Sequence, residues 1–177
     1  CMCETISKQS IPRICDHIDL LLNGEAVDVI IGGPPCQAYS LVGRSIKSAK
    51  DKIKIENNEK VEDDPRNYLY KLYCDFLRKY KPKMFVFENV TGIKSAQNGK
   101  FYNNFKILAK RSGYNIEDKV LEADNYGVKQ SRKRVIIVGW LKSLDIKYPN
   151  FKEWHDQTTI NEMFKDLPVL KPGEEIN

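Results

Sequence analysis

The 177 residues carry 29 basic and 24 acidic side chains, a formal charge of +5, with 41% apolar and 30% charged residues. That is enough chain for one domain with a core of its own. No apolar run approaches the roughly 20 residues of a membrane span, the opening residues do not read as a signal peptide, and +5 is too modest to argue for nucleic acid without a look at where the charge lies.

The chain opens on Cys1 rather than Met, as a processed product or a fragment would. Its five cysteines are Cys1, Cys3, Cys15, Cys36 and Cys74. The count is odd, the spacing irregular, and only two histidines are present, so neither a zinc site nor a disulfide framework forms. Reduced thiols in a cytoplasmic protein are the expectation.

Apolar residues at Ile11, Ile14, Cys15, Ile18, Leu21 and Leu22 predict a helix over 11–22, ended by Asn23-Gly24. Val27–Ile31 reads as a short buried strand. The punctuation after it is dense: Gly32-Gly33 allows a tight turn or a close backbone approach, and Pro34-Pro35 stiffens the path to Cys36. A thiol just past the carboxyl end of a strand lies where open α/β sheets place their ligands.

Residues 41–65 form a long polar segment rich in lysine, which reads either as a solvated insertion or as a mobile lid beside Cys36. Pro65 opens a helix through Tyr80, with Leu69, Leu72, Tyr73, Phe76 and Tyr80 expected to face the sheet. Met84–Phe87 is a second buried strand, ending in the polar cluster Glu88-Asn89-Val90. A helix over 101–111 closes at Gly113, a strand pattern spans about 115–121, and Asp124–Gly127 is a turn. The basic run Gln130-Ser-Arg-Lys-Arg134 leads into a third strand, Val135–Val138, stopped by Gly139. Residues 141–177 lose this rhythm and read as an irregular tail with a short helix near 160–164.

Helices alternating with strands predict an α/β fold. If the first two strands are parallel, Cys36 and Glu88 end on one sheet edge. If the third is antiparallel to them, its start lies there too, and Arg132 and Arg134, two apart on an extended segment, point the same way. Arginines favour the thiolate, and a carboxylate is then available to hydrogen-bond a substrate nitrogen. The set suits covalent addition of Cys36 to an electron-poor ring. Singly, each motif has an ordinary reading: a small buried Cys, a strand end, a solvated basic face. In this order, on one edge, they point to chemistry.

Gly33-Pro-Pro-Cys-Gln37, Glu88-Asn-Val90 and Gln130-Ser-Arg-Lys-Arg134 resemble three signature motifs of the DNA cytosine methyltransferases that act on ring carbon 5. The resemblance covers about 27–140, and Asp64-Pro-Arg-Asn-Tyr-Leu69 is similar to the family's segment between the first two motifs. It implies a Rossmann-like methyltransferase sheet that uses S-adenosylmethionine. It further implies that Cys36 attacks carbon 6 of a flipped cytosine, that Glu88 contacts ring nitrogen 3 and the exocyclic amine, that Arg134 contacts the cytosine oxygen, and that Arg132 lies near the thiol. Pro34, Gln37, Ser40, Asn89 and Gln130 fall on the substrate side, Pro35 and Leu69 on the cofactor side, with double-stranded DNA as partner and no metal.

The family's glycine-rich cofactor loop does not match anything in Cys1–Ala26, and neither its target-recognition domain nor its closing motifs are visible. The resemblance therefore implies an incomplete sheet. Residues 1–140 would be the catalytic part of the methyltransferase domain and 141–177 a tail toward a target-recognition domain. Further segments of the same enzyme, or a complementary subunit, would complete it. The basic loop and the proline-rich tail favour the bacterial restriction-modification type. Two alternatives stay open: a tRNA cytosine methyltransferase, and a fragment that binds nucleic acid or a partner without turnover.

Overall fold

The structure is a computed structural model and describes residues 5–35, 68–156 and 158–173. They fall into two compact units, one of 1–121 with 133–149, the other of 122–132 with 150–177.

The first unit is a mixed sheet with helices. Helix α1, Ile11–Leu22, takes Pro12 in its first turn and buries Ile14 and Cys15. It stops because Asn23 and Gly24 turn left-handed, at φ 47° and 87°. Strand β1 is Val29–Gly32, helix α2 Leu69–Tyr80, strand β2 Met84–Val90, helix α3 Lys100–Arg111, strand β3 Tyr114–Glu122 and strand β4 Lys133–Leu141. The strand order is β1-β2-β4-β3. β1 and β2 are parallel, with Ile30 beside Phe85. β2 and β4 are antiparallel, with Glu88 beside Ile136 and Val90 beside Arg134. Among the described residues this is a Rossmann-like α/β arrangement over four strands, in the α/β class that the alternation of helix and strand predicts.

β2 alternates strictly between half-buried and buried side chains. Its Phe85 and Phe87, with Val135 and Ile137 of β4, face Tyr70, Cys74 and Leu77 of α2 and Phe101, Phe105 and Ala109 of α3. The rings interlock: Phe87 and Phe105 lie 4.2 Å apart between centroids, Phe85 and Tyr114 5.2 Å. Each such ring contributes about 1.5–3 kcal/mol by leaving water. On the opposite face Val138, Trp140 and Tyr148 cluster with Met84 and Ile136.

Several expectations need correction. β1 begins at Val29, not Val27, and is not buried: Val29 and Ile31 are 47% and 76% exposed. Among the described residues it pairs only with β2, so only Ile30 packs inward. The buried stripe of α2 is Tyr70, Leu72, Cys74 and Leu77. Phe76 and Tyr80 instead stack on each other, and the Tyr80 hydroxyl donates to the Cys15 carbonyl of α1 at 3.2 Å. Glu88-Asn89-Val90 does not follow β2 but forms its last three residues, in register with β4. Gly139 does not stop β4. The strand runs on to Leu141, and the ring of Phe85 fills the place where a Gly139 Cβ would lie, 2.0 Å away. The glycine marks a close approach rather than a strand end. Pro65, expected to open α2, lies outside the described residues.

In the second unit Trp154 bridges to Tyr126, its N–H donating to the Asn125 carbonyl at 2.8 Å. The Trp154 ring covers Gly127, whose φ of +78° and missing side chain both suit glycine. The Lys129 ammonium donates to the carbonyls of Asp156 and Thr158, at 2.8 and 2.6 Å. The short predicted helix is a single turn, α4, Ile160–Met163, with a Thr159–Glu162 capping box. No described helix is long and apolar enough to cross a membrane.

Candidate active site

The site is built at the carboxyl end of β2. Parallel pairing with β1 brings the segment after Gly32 to this edge, and the antiparallel β4 starts here. Glu88 stands opposite Ile136, so Arg134, two residues earlier on β4, is its diagonal neighbour on the same face. Arg134 Nε lies 2.8 Å from Glu88 Oε1. The arginine is held further by Nη1 donating to the Lys133 carbonyl at 2.8 Å. The Glu88 side chain is 41% exposed and that of Arg134 22%, so both can be reached from solvent.

Asn89 points the other way and is 1% exposed. Its amide NH2 donates to the Pro34 carbonyl at 3.1 Å, and its Oδ1 accepts the Val90 N–H at 2.9 Å. A buried amide left without partners would cost roughly 1–3 kcal/mol, so this bond fixes the Gly-Pro-Pro segment against the end of β2. Tyr73 of α2 supports the same edge from below. Its hydroxyl lies 3.2 Å from the Ile30 carbonyl of β1 and 3.0 Å from the Val86 carbonyl of β2. Burial pushes its phenol well above the ordinary range, so it stays a neutral donor.

The structure thus brings together Glu88, Arg134, Asn89 and Pro34. Pro35 follows, exposed, and Leu69 opens α2 half-buried. Cys36, Gln37 and Ser40 lie outside the described residues, as does the segment over 41–65. Arg132 and Gln130 belong to the second unit. Arg132 immediately precedes β4, and its carbonyl accepts the Ala123 N–H at 3.0 Å. Gln130 lines a shallow hollow of about 220 Å³ with Lys129, Asp156 and Thr158. Tyr73 was legible only as one apolar position in a helical stripe, because nothing in a stripe tells where a hydroxyl ends.

Among the described residues the site is a carboxylate held by a guanidinium, beside a loop tied to the same strand end. The model of one family, C-5 cytosine-specific DNA methylase, matches residues 6–176. The chain belongs to the C-5 cytosine-specific DNA methylase family.

Relatives agree. A Type II methyltransferase of Bacillus paralicheniformis, M.Bpa9945I, is 44% identical over 161 residues, 84% of this chain and 34% of that protein. M.MthTI of Methanothermobacter thermautotrophicus is 38% identical over 165 residues, 90% of this chain and 45% of that protein. Among solved structures, an E. coli prophage-encoded protein assigned as a DNA modification methyltransferase superposes with a TM-score of 0.64 at 26% identity. That match covers 88% of this chain and 39% of the other. This C-5 cytosine methylase chain spans between a third and a half of the length of these curated relatives.

Proposed function

We propose that this chain carries the catalytic centre of an enzyme that methylates carbon 5 of cytosine in double-stranded DNA, of the restriction-modification type. The observation that carries the reading is the Glu88–Arg134 pair, 2.8 Å apart, at the strand end to which Asn89 ties Pro34. Pro34 stands two residues before Cys36 in the chain.

In the proposed reaction the target base leaves the stack, because the thiol must approach one face of the ring. The Cys36 thiolate forms a bond to carbon 6, and the ring electrons move toward carbon 5 and nitrogen 3. A proton carried between Glu88 and nitrogen 3 meets that charge, while the carboxyl accepts from the exocyclic amine. Arg134 contacts the cytosine oxygen while holding Glu88 in place, and Arg132 acts near the thiol. The Pro34 backbone meets the base. Gln37, Ser40, Asn89 and Gln130 serve the substrate side, Asn89 through its hold on Pro34. Loss of the carbon 5 proton and departure of Cys36 end the cycle.

S-adenosylmethionine, when bound, supplies an electrophilic methyl group for carbon 5. Pro35 and Leu69 fit a contact role toward it: both are apolar and both stand outside the packed core. They carry no charge or side-chain hydrogen bond for its polar groups, which other segments of the enzyme or a complementary subunit would supply. Residues 1–140 are assigned to the catalytic part and 141–177 to a tail toward a target-recognition region. The free, buried thiols of Cys15 and Cys74 support action in the cytoplasm.

The test is covalent capture. The full-length protein is incubated with S-adenosylmethionine and duplex DNA whose target cytosines are 5-fluorocytosine, with a tRNA transcript carrying 5-fluorocytosine in parallel. A denaturant-resistant protein–DNA complex that Cys36→Ser abolishes is the expected result. No complex with either nucleic acid, and Cys36→Ser indistinguishable from wild type, would overturn the reading. Capture by tRNA alone would move the substrate to RNA.

A further inference from the structure

We propose that Gly33 is a positioning residue for Glu88, its missing side chain being the space that the Glu88 carboxylate occupies. The proposal rests on the reading that Glu88 contacts the cytosine ring. Gly33 is not among the residues with a left-handed backbone, so conformational freedom does not explain a glycine there. Crowding does. A Cβ at residue 33 would lie 2.7 Å from Glu88 Oε2 and 3.2 Å from the Glu88 carbonyl oxygen. The carbonyl belongs to backbone held in register with Ile136 of β4 and yields little. The carboxylate is the end of a side chain and yields first. Its other oxygen, Oε1, is the one held by Arg134 at 2.8 Å. The carboxylate is therefore set between a guanidinium on one side and bare backbone on the other. A methyl group at residue 33 would swing it out of that seat and strain the ion pair.

The neighbouring Gly32 makes the contrast. A Cβ there would lie 2.7 Å from a ring carbon of Tyr73. That ring is packed edge-on against Phe85 and Phe87, at centroid separations of 6.1 and 5.2 Å. Gly32 serves packing, and Gly33 serves the geometry of the site.

The experiment compares single-turnover methyl transfer to duplex DNA, DNA affinity and melting temperature in the full-length protein. Gly33→Ala is placed in the wild-type background and in Glu88→Asp, whose carboxylate is drawn back by one methylene. In wild type, Gly33→Ala should slow transfer by about 100-fold, the scale of a 1 Å misplacement, with DNA affinity within about twofold. In Glu88→Asp the same change should cost less than about twofold, because the two positions act as one unit. Gly33→Ala at the wild-type rate, or an equal loss in both backgrounds, would overturn the proposal. If Gly33→Ala does not fold, Gly33→Ala/Glu88→Ala should melt near Glu88→Ala itself, and a double variant as unstable as the single one overturns it. Glu88→Ala transferring methyl at the wild-type rate would refute the underlying reading of Glu88.

Discussion

Arg134 holds Glu88 across two antiparallel strands, Nε to Oε1 at 2.8 Å, because a two-residue diagonal places both on one face of the sheet. The pair is partly exposed, so it adds only about 0–1 kcal/mol to stability. Its value lies in orientation. Arg134→Ala should therefore slow methyl transfer by about 10²–10³-fold, the usual cost of removing one preorganised donor, while the urea midpoint stays close to wild type. A large loss of stability with activity retained would contradict this division.

Gly139 lies where the Phe85 ring needs room, its hypothetical Cβ 2.0 Å from a ring carbon. Gly139→Ala overpacks a core that has no slack and should destabilise by about 1–3 kcal/mol. The smaller side chain of Phe85→Leu should recover part of that loss in the double variant. Urea denaturation of the two single variants and the double variant measures the coupling, and purely additive losses would show that the ring is not the cause.

Cys74 is buried, and burial pushes its thiol up to about 12. It should resist iodoacetamide in the native protein at pH 8 and react only on unfolding, read by mass spectrometry of its peptide. A raised folded-state value stabilises below the unfolded one and is lost as pH rises. Cys74 therefore contributes stability that fades between about pH 9 and 12. Tyr114, raised by burial to about 12, adds to the upper part of that window. Cys74→Ala should flatten the alkaline slope of the urea midpoint, and an unchanged slope would count against it.

Lys129 Nζ lies 2.8 Å from Asp156 Oδ1 and, with the N–H and hydroxyl of Thr158, lowers that carboxyl to about 2. The depressed value means that the contribution of Asp156 is intact above its ordinary range and is lost as pH falls toward 2. A carboxyl ¹³C titration should show the low midpoint in wild type and a return toward the ordinary range in Lys129→Met. A midpoint indifferent to Lys129 would place the cause elsewhere.

Much of the architecture was legible in local chemistry. Helix α1 came out at Ile11–Leu22, as its apolar spacing and Asn23-Gly24 required, and the parallel–antiparallel arrangement of β1, β2 and β4 met the condition that the motifs needed. Ends were less legible. Glu88-Asn89-Val90 looks like a strand end by polarity, yet backbone pairing to β4 is indifferent to side-chain polarity and carries β2 through it. In α2, helical period alone could not say which of several adjacent apolar faces meets the sheet and which meets α1.

The amino-acid sequence by itself determined the chemical inventory and its order: a thiol, then a carboxylate, then arginines, each in a short motif flanked by residues that restrict the backbone. Such motifs are local, so their meaning survives without coordinates. What only the tertiary structure decided is why Gly33 and Gly139 are glycines, which way Asn89 faces, and that Arg134 is the arginine on Glu88. Each of these depends on register between segments far apart in the chain. A one-residue slip would send every side chain to the other face, and spacing along the sequence carries no record of that.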